Sequence, residues 1–286
     1  MEQELTLIRN ILTNEVLESK TFDEEYRDEI LYMRSKGNLM MFPYPFTEKY
    51  DQNSIEVHEY SNNPLLKYVI HNGKQLFYPA WNDGVIQENY NSLLLEQDYE
   101  SPHRYMDEIC NFKEGDIFVD VGAAEGIMSL DIVQKASKVY LYECSEKWIM
   151  ALKETFKEYA DKIQIINKFA GAVDNDYTIT IDTLLQEYHD ENIFIKMDIE
   201  GMELDALQGA VNTIKNNNCH LACATYHYNG QAFEIQQFLE PLDYKAYCSE
   251  GYMLFMYGKM ALDNGRYERV SAPYFRKAMV RAVRNQ

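Results

Sequence analysis

The sequence predicts an α/β protein: a mostly parallel sheet with helices on both faces, preceded by an N-terminal α+β extension. Three observations carry this. From Asp116 onward, short apolar runs alternate with stretches of helical periodicity, the pattern of strand–helix–strand units with right-handed crossovers. The first run, IFVDVG, is nearly continuously apolar, as a strand buried on both faces must be, and it ends in an acid and a glycine. The turn that follows, GAAEG, opens a helical pattern and not a hairpin.

The N-terminal extension comes first. Residues 1 to about 36 read as acidic helix, with Leu5, Ile8, Ile11 and Leu12 at helical spacing, a second periodic piece from Phe22 to Met33, and Gly37-Asn38 as a stop. An aromatic, proline-bearing loop and a hairpin turning at Asn72-Gly73 follow. A helix over GVIQENYNSLLLE then leads to Ser101-Pro102, His103 and Arg104. Lying just ahead of the first core strand, this segment is placed to close over a ligand, Arg104 clamping a carboxylate or phosphate and His103 serving as acid or base.

In the core, Ile127, Leu130, Val133 and Ala136 mark the helix after the turn, and VYLYE a second strand ending in Glu143. WIMALKETFKEYA is an amphipathic helix and IQIINKFAGA a third strand, and TITIDTLLQEY gives a short strand and a helix for Asp182 to cap. NIFIKMD is a fourth strand, IEGMELDALQGAVNTIKNN one helix, LACATYHY a fifth strand and AFEIQQFLEPL its helix. YKAYCS and YMLFMYGK close the sheet around Glu250-Gly251, the last strand antiparallel. Arg276, Lys277, Arg281 and Arg284 follow helical spacing, so the end of the chain reads as a basic helix packed on the body. The expected divisions are 1–105 for the extension, an acceptor-site or interaction region; 106–260 for the core; and 261–286 for the helix.

The composition excludes several function classes. A chain of 286 residues, 46% hydrophobic and rich in tyrosine, can bury a full core and is globular. A formal charge of −19 opposes general affinity for nucleic acid or anionic membranes. The opening MEQELTLIRN has acids where a signal peptide needs a basic lead, and no apolar run approaches transmembrane length, so a cytoplasmic protein without membrane insertion is expected. The five cysteines, Cys110, Cys144, Cys219, Cys223 and Cys248, are odd in number and lack CxxC spacing, which argues against a zinc site or a disulfide framework.

The chemistry gathers at the carboxyl ends of the strands, where ligands of open α/β sheets sit. Gly122 and Gly126 are free to take positive φ and let a ligand approach the backbone. Glu143, roughly 20 residues beyond the turn, is placed to accept hydrogen bonds from both hydroxyls of a ribose. A dinucleotide fingerprint would carry glycines where Ala124 and Ile127 stand. Asp198 and Glu200 end the fourth strand and His227 the fifth, so carboxylate and imidazole can meet across the cleft, His227 as general base and Tyr226 along the pocket wall. Asp198, Glu200 and His227 are too few ligands at fixed spacing to predict a metal.

Three segments, IFVDVGAAEGIMSL, VYLYECSEKWIMAL and IFIKMDIEGMELDALQGA, resemble in order and spacing the FkbM-type family of S-adenosylmethionine-dependent methyltransferases. The most specific piece is D-x-E-G-x-E-x-x-x-L-x-G-A from Asp198 to Ala210, and the resemblance covers about Asp116 to Tyr257. Ala124 and Glu125 depart from the family's turn. The resemblance implies a class I methyltransferase (Rossmann-like) sheet of seven strands, the cofactor S-adenosyl-L-methionine, and O-methylation of a hydroxyl on a sugar, glycan or secondary metabolite. It implies that Asp120, Gly122, Ala123, Gly126 and Asp198 surround the methionine part, Glu143 and Cys144 the ribose, and Asp174 the adenine amino group. His103, Arg104, Tyr226 and Glu200 would then meet a small-molecule or glycan acceptor. The rival readings are a nucleotide-dependent oxidoreductase and a non-catalytic nucleoside-binding module. The sequence leaves the oligomeric state, a homo-oligomer included, open.

Overall fold

Every residue of the strand β4 (Ile117–Val121) is buried, and the sheet grows outward from it in both directions. The computed structural model describes residues 10–20, 23–255, 260–261, 266–267 and 274–285. On one side of β4 lie β5 (Lys138–Tyr142) and β6 (Ile163–Ile166), and on the other β7 (Asn192–Met197) and β8 (Asn218–Ala224), all parallel. β9 (Tyr244–Cys248) and β10 (Met279–Arg284) complete the order β9-β10-β8-β7-β4-β5-β6, with β10 antiparallel to both neighbours. This seven-stranded, mostly parallel sheet with one antiparallel strand is the class I methyltransferase arrangement. The chain leaves β4 toward β6 and then returns to β7 on the other side, so β4 and β7 form the topological switch point where such sheets bind ligands. Val121, Tyr142 and Met197 are in register, which brings the residues that follow them to one edge.

The helices α3 (Ile127–Ile132), α4 (Glu146–Thr155), α5 (Ile181–Leu184), α6 (Glu203–Gln208), α7 (Val211–Asn216) and α8 (Gln231–Leu239) flank the sheet. Ahead of them come α1 (Arg27–Lys36) and α2 (Asp83–Glu96), with the small antiparallel sheet of β1 (His58–Glu59), β2 (Leu66–His71) and β3 (Lys74–Pro79). The hairpin turns at Asn72-Gly73, both at positive φ, and Gly37 ends α1 at φ 65°, as the sequence predicts. Leu5 and Ile8 lie outside the described residues, whereas Leu12 packs against Ile30, Met33, Leu254 and Phe275.

Four expectations are corrected. The end of the chain is not a basic helix: Met279–Arg284 is an inserted strand, its Met279, Val280 and Ala282 wholly or almost wholly buried. Arg281 Nη1 reaches Asp107 Oδ2 at 3.1 Å and Arg276 Nη1 donates to the Tyr226 carbonyl at 2.6 Å, so the arginines that mimic a helical face have separate partners. β-Branched Val280 and Val283 favour the strand. Hence the antiparallel strand is β10 and not YMLFMYGK, of which Met253–Leu254 pairs with Phe275–Arg276 and 256–259 lie outside the described residues. The block after β7 is two helices because a Cβ on Gly209 would stand 2.0 Å from the Gly171 carbonyl, a contact that fixes the break. Finally, Thr180 and not Asp182 caps α5, and Asp182 accepts the Asn212 and Thr213 amides at the start of α7.

Candidate active site

Asp120 and Lys196 are cross-strand partners of β4 and β7. Lys196 Nζ lies 2.9 Å from Asp120 Oδ1 and donates to the Gly122 carbonyl at 2.6 Å, while Ser129 Oγ donates to Asp120 Oδ2 at 2.6 Å. Burial disfavours the Lys196 charge, but Asp120 and then Asp198 outweigh it and raise its pKa. The pair clamps the two strands at the switch point and ties the glycine turn to both.

The turn itself is protein-filled. Gly122 has φ +80°, and a Cβ there would stand 2.1 Å from the Asp198 carbonyl oxygen. A Cβ on Gly126, at φ +72°, would meet Leu152 Cδ2 at 2.8 Å. On the side where a Cβ would stand, these glycines meet β7's own continuation and α4, while Gly122 also lines a cavity over this edge.

Asp198 is the hub of the site. Tyr105 Oη donates to its Oδ2 at 2.8 Å and Tyr226 Oη to its Oδ1 at 3.2 Å. His103 Nε2 stands 3.5 Å from Oδ2 and His227 Nε2 3.3 Å from Oδ1. Burial alone would raise the Asp198 carboxyl, but the two imidazoles outweigh it and hold it well below the usual carboxylate range. Burial works against charge on His227 as well, yet Asp198, Glu203 and Glu200 together raise its pKa. Glu203 fixes the far side: it accepts the Ile199 amide at 2.7 Å, binds the Gln231 side-chain amide, and lies 3.5 Å from His227 Nδ1. Asp198, Glu203 and His227 each offer one ligand atom within 4.8 Å of the others, close enough to hold a cation.

A cavity of about 170 Å³ opens over this edge. Its walls are the turn Gly122–Ala124, the two tyrosines, and six charged side chains: Glu96, Asp120, Glu125, Asp198, Glu200 and Lys196. Five are acids and one is a base. Burial raises Glu96 and lifts Glu125 to about 8.

Of the residues the sequence singles out, Asp120, Gly122, Ala123, Asp198, Glu200 and Tyr226 line the cavity. His103 and His227, 1% and 2% exposed, stand behind Asp198 and not on the wall. Glu143 accepts the Ala124 amide at 2.9 Å and the Ser145 amide at 2.7 Å, which fixes the turn against β5. Arg104 lies over the Tyr99 ring, 4.9 Å from its centre. Asp174 is exposed and accepts from Thr180 and Thr183 at the start of α5. Burial and then Glu143 push the Cys144 thiol up to about 11. Tyr105, Lys196, Glu96, Glu125 and Glu203 were not singled out. Lys196 had a signal, a charge inside the apolar run IFIKM, and Tyr105 follows His103 by two residues.

Residues 120–248 match the family model of the methyltransferase FkbM domain. That segment, less than half of the chain, is similar to an FkbM methyltransferase domain. No curated protein matches the sequence. Among solved structures, the methyltransferase FkbM of Methylobacillus flagellatus KT is 18% identical, with 70% of this chain and 53% of that chain covered and a TM-score of 0.48. This chain therefore spans about half the length of that protein. Trm5b of Pyrococcus abyssi is 14% identical, with 77% and 56% covered and a TM-score of 0.42. A methyltransferase of Streptococcus mutans, solved in complex with SAH, is 13% identical, with 68% and 96% covered and a TM-score of 0.37. Among the described residues, no helix is long and apolar enough to cross a membrane.

Proposed function

We propose that this protein transfers a methyl group from S-adenosyl-L-methionine to a hydroxyl of a small-molecule or glycan acceptor, at the cavity over β4 and β7. One observation carries the reading: five acidic side chains against one lysine line the cavity. That wall suits a ligand bearing positive charge, and it opposes the pyrophosphate of a dinucleotide. When bound, the cofactor supplies a methyl group activated on a sulfonium. At about 170 Å³ the cavity is smaller than the roughly 300–1,000 Å³ of a whole-ligand site, and suits the amino-acid arm and the reacting centre.

The chain's residues divide the remaining work. The Asp120–Lys196 clamp and the Glu143 carboxylate hold the turn that borders the cavity. Asp198 faces the cavity and is the side chain placed to orient an acceptor hydroxyl and take its proton as the new C–O bond forms. Its depressed pKa makes it a weak base alone. His227, behind it, is the second proton-holding group, and Tyr105 and Tyr226 fix the carboxylate's orientation. Most of the catalysis is positioning, since the methyl donor is already activated.

Thermal shift with S-adenosylmethionine, S-adenosylhomocysteine and NAD tests the reading. Stabilisation by the two adenosyl ligands and not by NAD is expected. Stabilisation by NAD alone would favour the oxidoreductase.

A further inference from the structure

Two acids on the cavity wall have no role in the scheme above. Glu125 sits in the glycine turn, 7% exposed, and its carboxyl has no hydrogen-bond or ion-pair partner among the described residues beyond its own backbone amide. Glu96 is the last residue of α2, comes from outside the family-matched segment and is partly exposed, with His103 Nδ1 3.9 Å from its Oε2. Both line the cavity, where burial and then Glu96 raise the pKa of Glu125. A buried carboxyl without a partner is costly, and a pair facing one space more so, unless a cation enters between them. The lysine on the wall does not serve, because its Nζ is already held by Asp120 and the Gly122 carbonyl.

We propose that Glu96 and Glu125 together receive the α-ammonium of the cofactor's amino-acid arm, so that the N-terminal extension completes the cofactor cavity. The inference rests on the methyltransferase reading. The turn bearing Glu125 borders the cavity where the amino-acid arm is expected, and α2 supplies the opposing acid. An ammonium between the two offers N–H donors to both carboxylates in a water-poor site, where charge-assisted hydrogen bonds are strongest.

Isothermal titration calorimetry on the full chain tests this with S-adenosylhomocysteine and with its deaminated analogue, in which hydrogen replaces the α-amine. The wild-type protein should bind the analogue about ten-fold or more weakly, the worth of one charge-assisted hydrogen bond. Glu125→Gln and Glu96→Gln should each weaken S-adenosylhomocysteine while leaving the analogue near its wild-type affinity. Equal affinity of the wild-type protein for the two ligands overturns the proposal without any variant having to fold. Variants that lose both ligands equally while melting as the wild type also overturn it. Wild-type protein that binds neither ligand overturns the methyltransferase reading itself.

Discussion

His227 Nε2 stands 3.3 Å from Asp198 Oδ1, with the imidazole buried and the carboxylate facing the cavity. The two residues come from the ends of neighbouring parallel strands, β8 and β7, and share one proton-holding unit at the edge where the acceptor would lie. In the proposed reaction, Asp198 is the group that touches substrate and His227 the group that adjusts it.

Replacing Asp198 by Asn should therefore lower kcat by about a hundred-fold or more, the usual worth of a positioned proton acceptor. His227→Ala should slow turnover while leaving S-adenosylhomocysteine affinity near normal. Its pH profile should also lose the rise expected of the wild type as His227 gives up its proton, since the imidazolium weakens Asp198 as a base. An unaltered profile would make His227 purely structural.

Lys196→Met leaves Asp120 buried without its ion partner, at 1% exposure. Removing one partner of such a pair costs about 3–5 kcal/mol, so urea unfolding should show a loss of that order. A loss below about 1 kcal/mol, the range of a surface pair, would show that the clamp contributes little.

Gly122→Ala puts a Cβ 2.1 Å from a backbone oxygen at φ +80°, whereas at Gly126 the obstacle is the end of a leucine side chain at 2.8 Å. Both substitutions carry backbone strain on the order of 1–3 kcal/mol, but only the first forces β4 and β7 apart. Thermal melting should rank Gly122→Ala well below Gly126→Ala, and equal melting points would count against the close approach.

Glu125, at about 8, is largely protonated in the free protein near neutrality, while receiving an ammonium requires the carboxylate. The groups facing it are Glu96 on α2, Asp120 on β4 and Lys196 on β7. The sign follows: S-adenosylhomocysteine affinity should climb as pH rises from about 6 to about 8, with a proton released on binding near pH 7, and Glu125→Gln should flatten the climb. A flat wild-type profile would contradict the ammonium role.

The sheet was legible because its central strands β4, β5, β7 and β8 are buried on both faces and so read as apolar runs, and because the D-x-E-G-x-E block fixes β7 and the loop after it. β10 was not, since Arg276, Lys277, Arg281 and Arg284 sit at intervals that suit a helix as well as a strand, whereas Arg276 lies ahead of β10, bound to the Tyr226 carbonyl, and Arg281 lies within it, bound to Asp107. In the site, Asp198 and His227 could be brought together from strand order alone. Glu96 and Tyr105 could not, because they arrive from the extension, and their approach depends on how α2 and the loop after it pack over the sheet. Glu125 was hidden for another reason: an acid in a turn ordinarily points to solvent, and here it is buried, on a cavity that α2 also lines.

A crystal structure with S-adenosylhomocysteine bound is the most direct measurement. The account predicts the amino-acid arm in the cavity between the Gly122–Ala124 turn and Asp198, with its nitrogen between Glu96 and Glu125 and its ribose toward Glu143. A ligand seated elsewhere, with that cavity left to solvent, would contradict it.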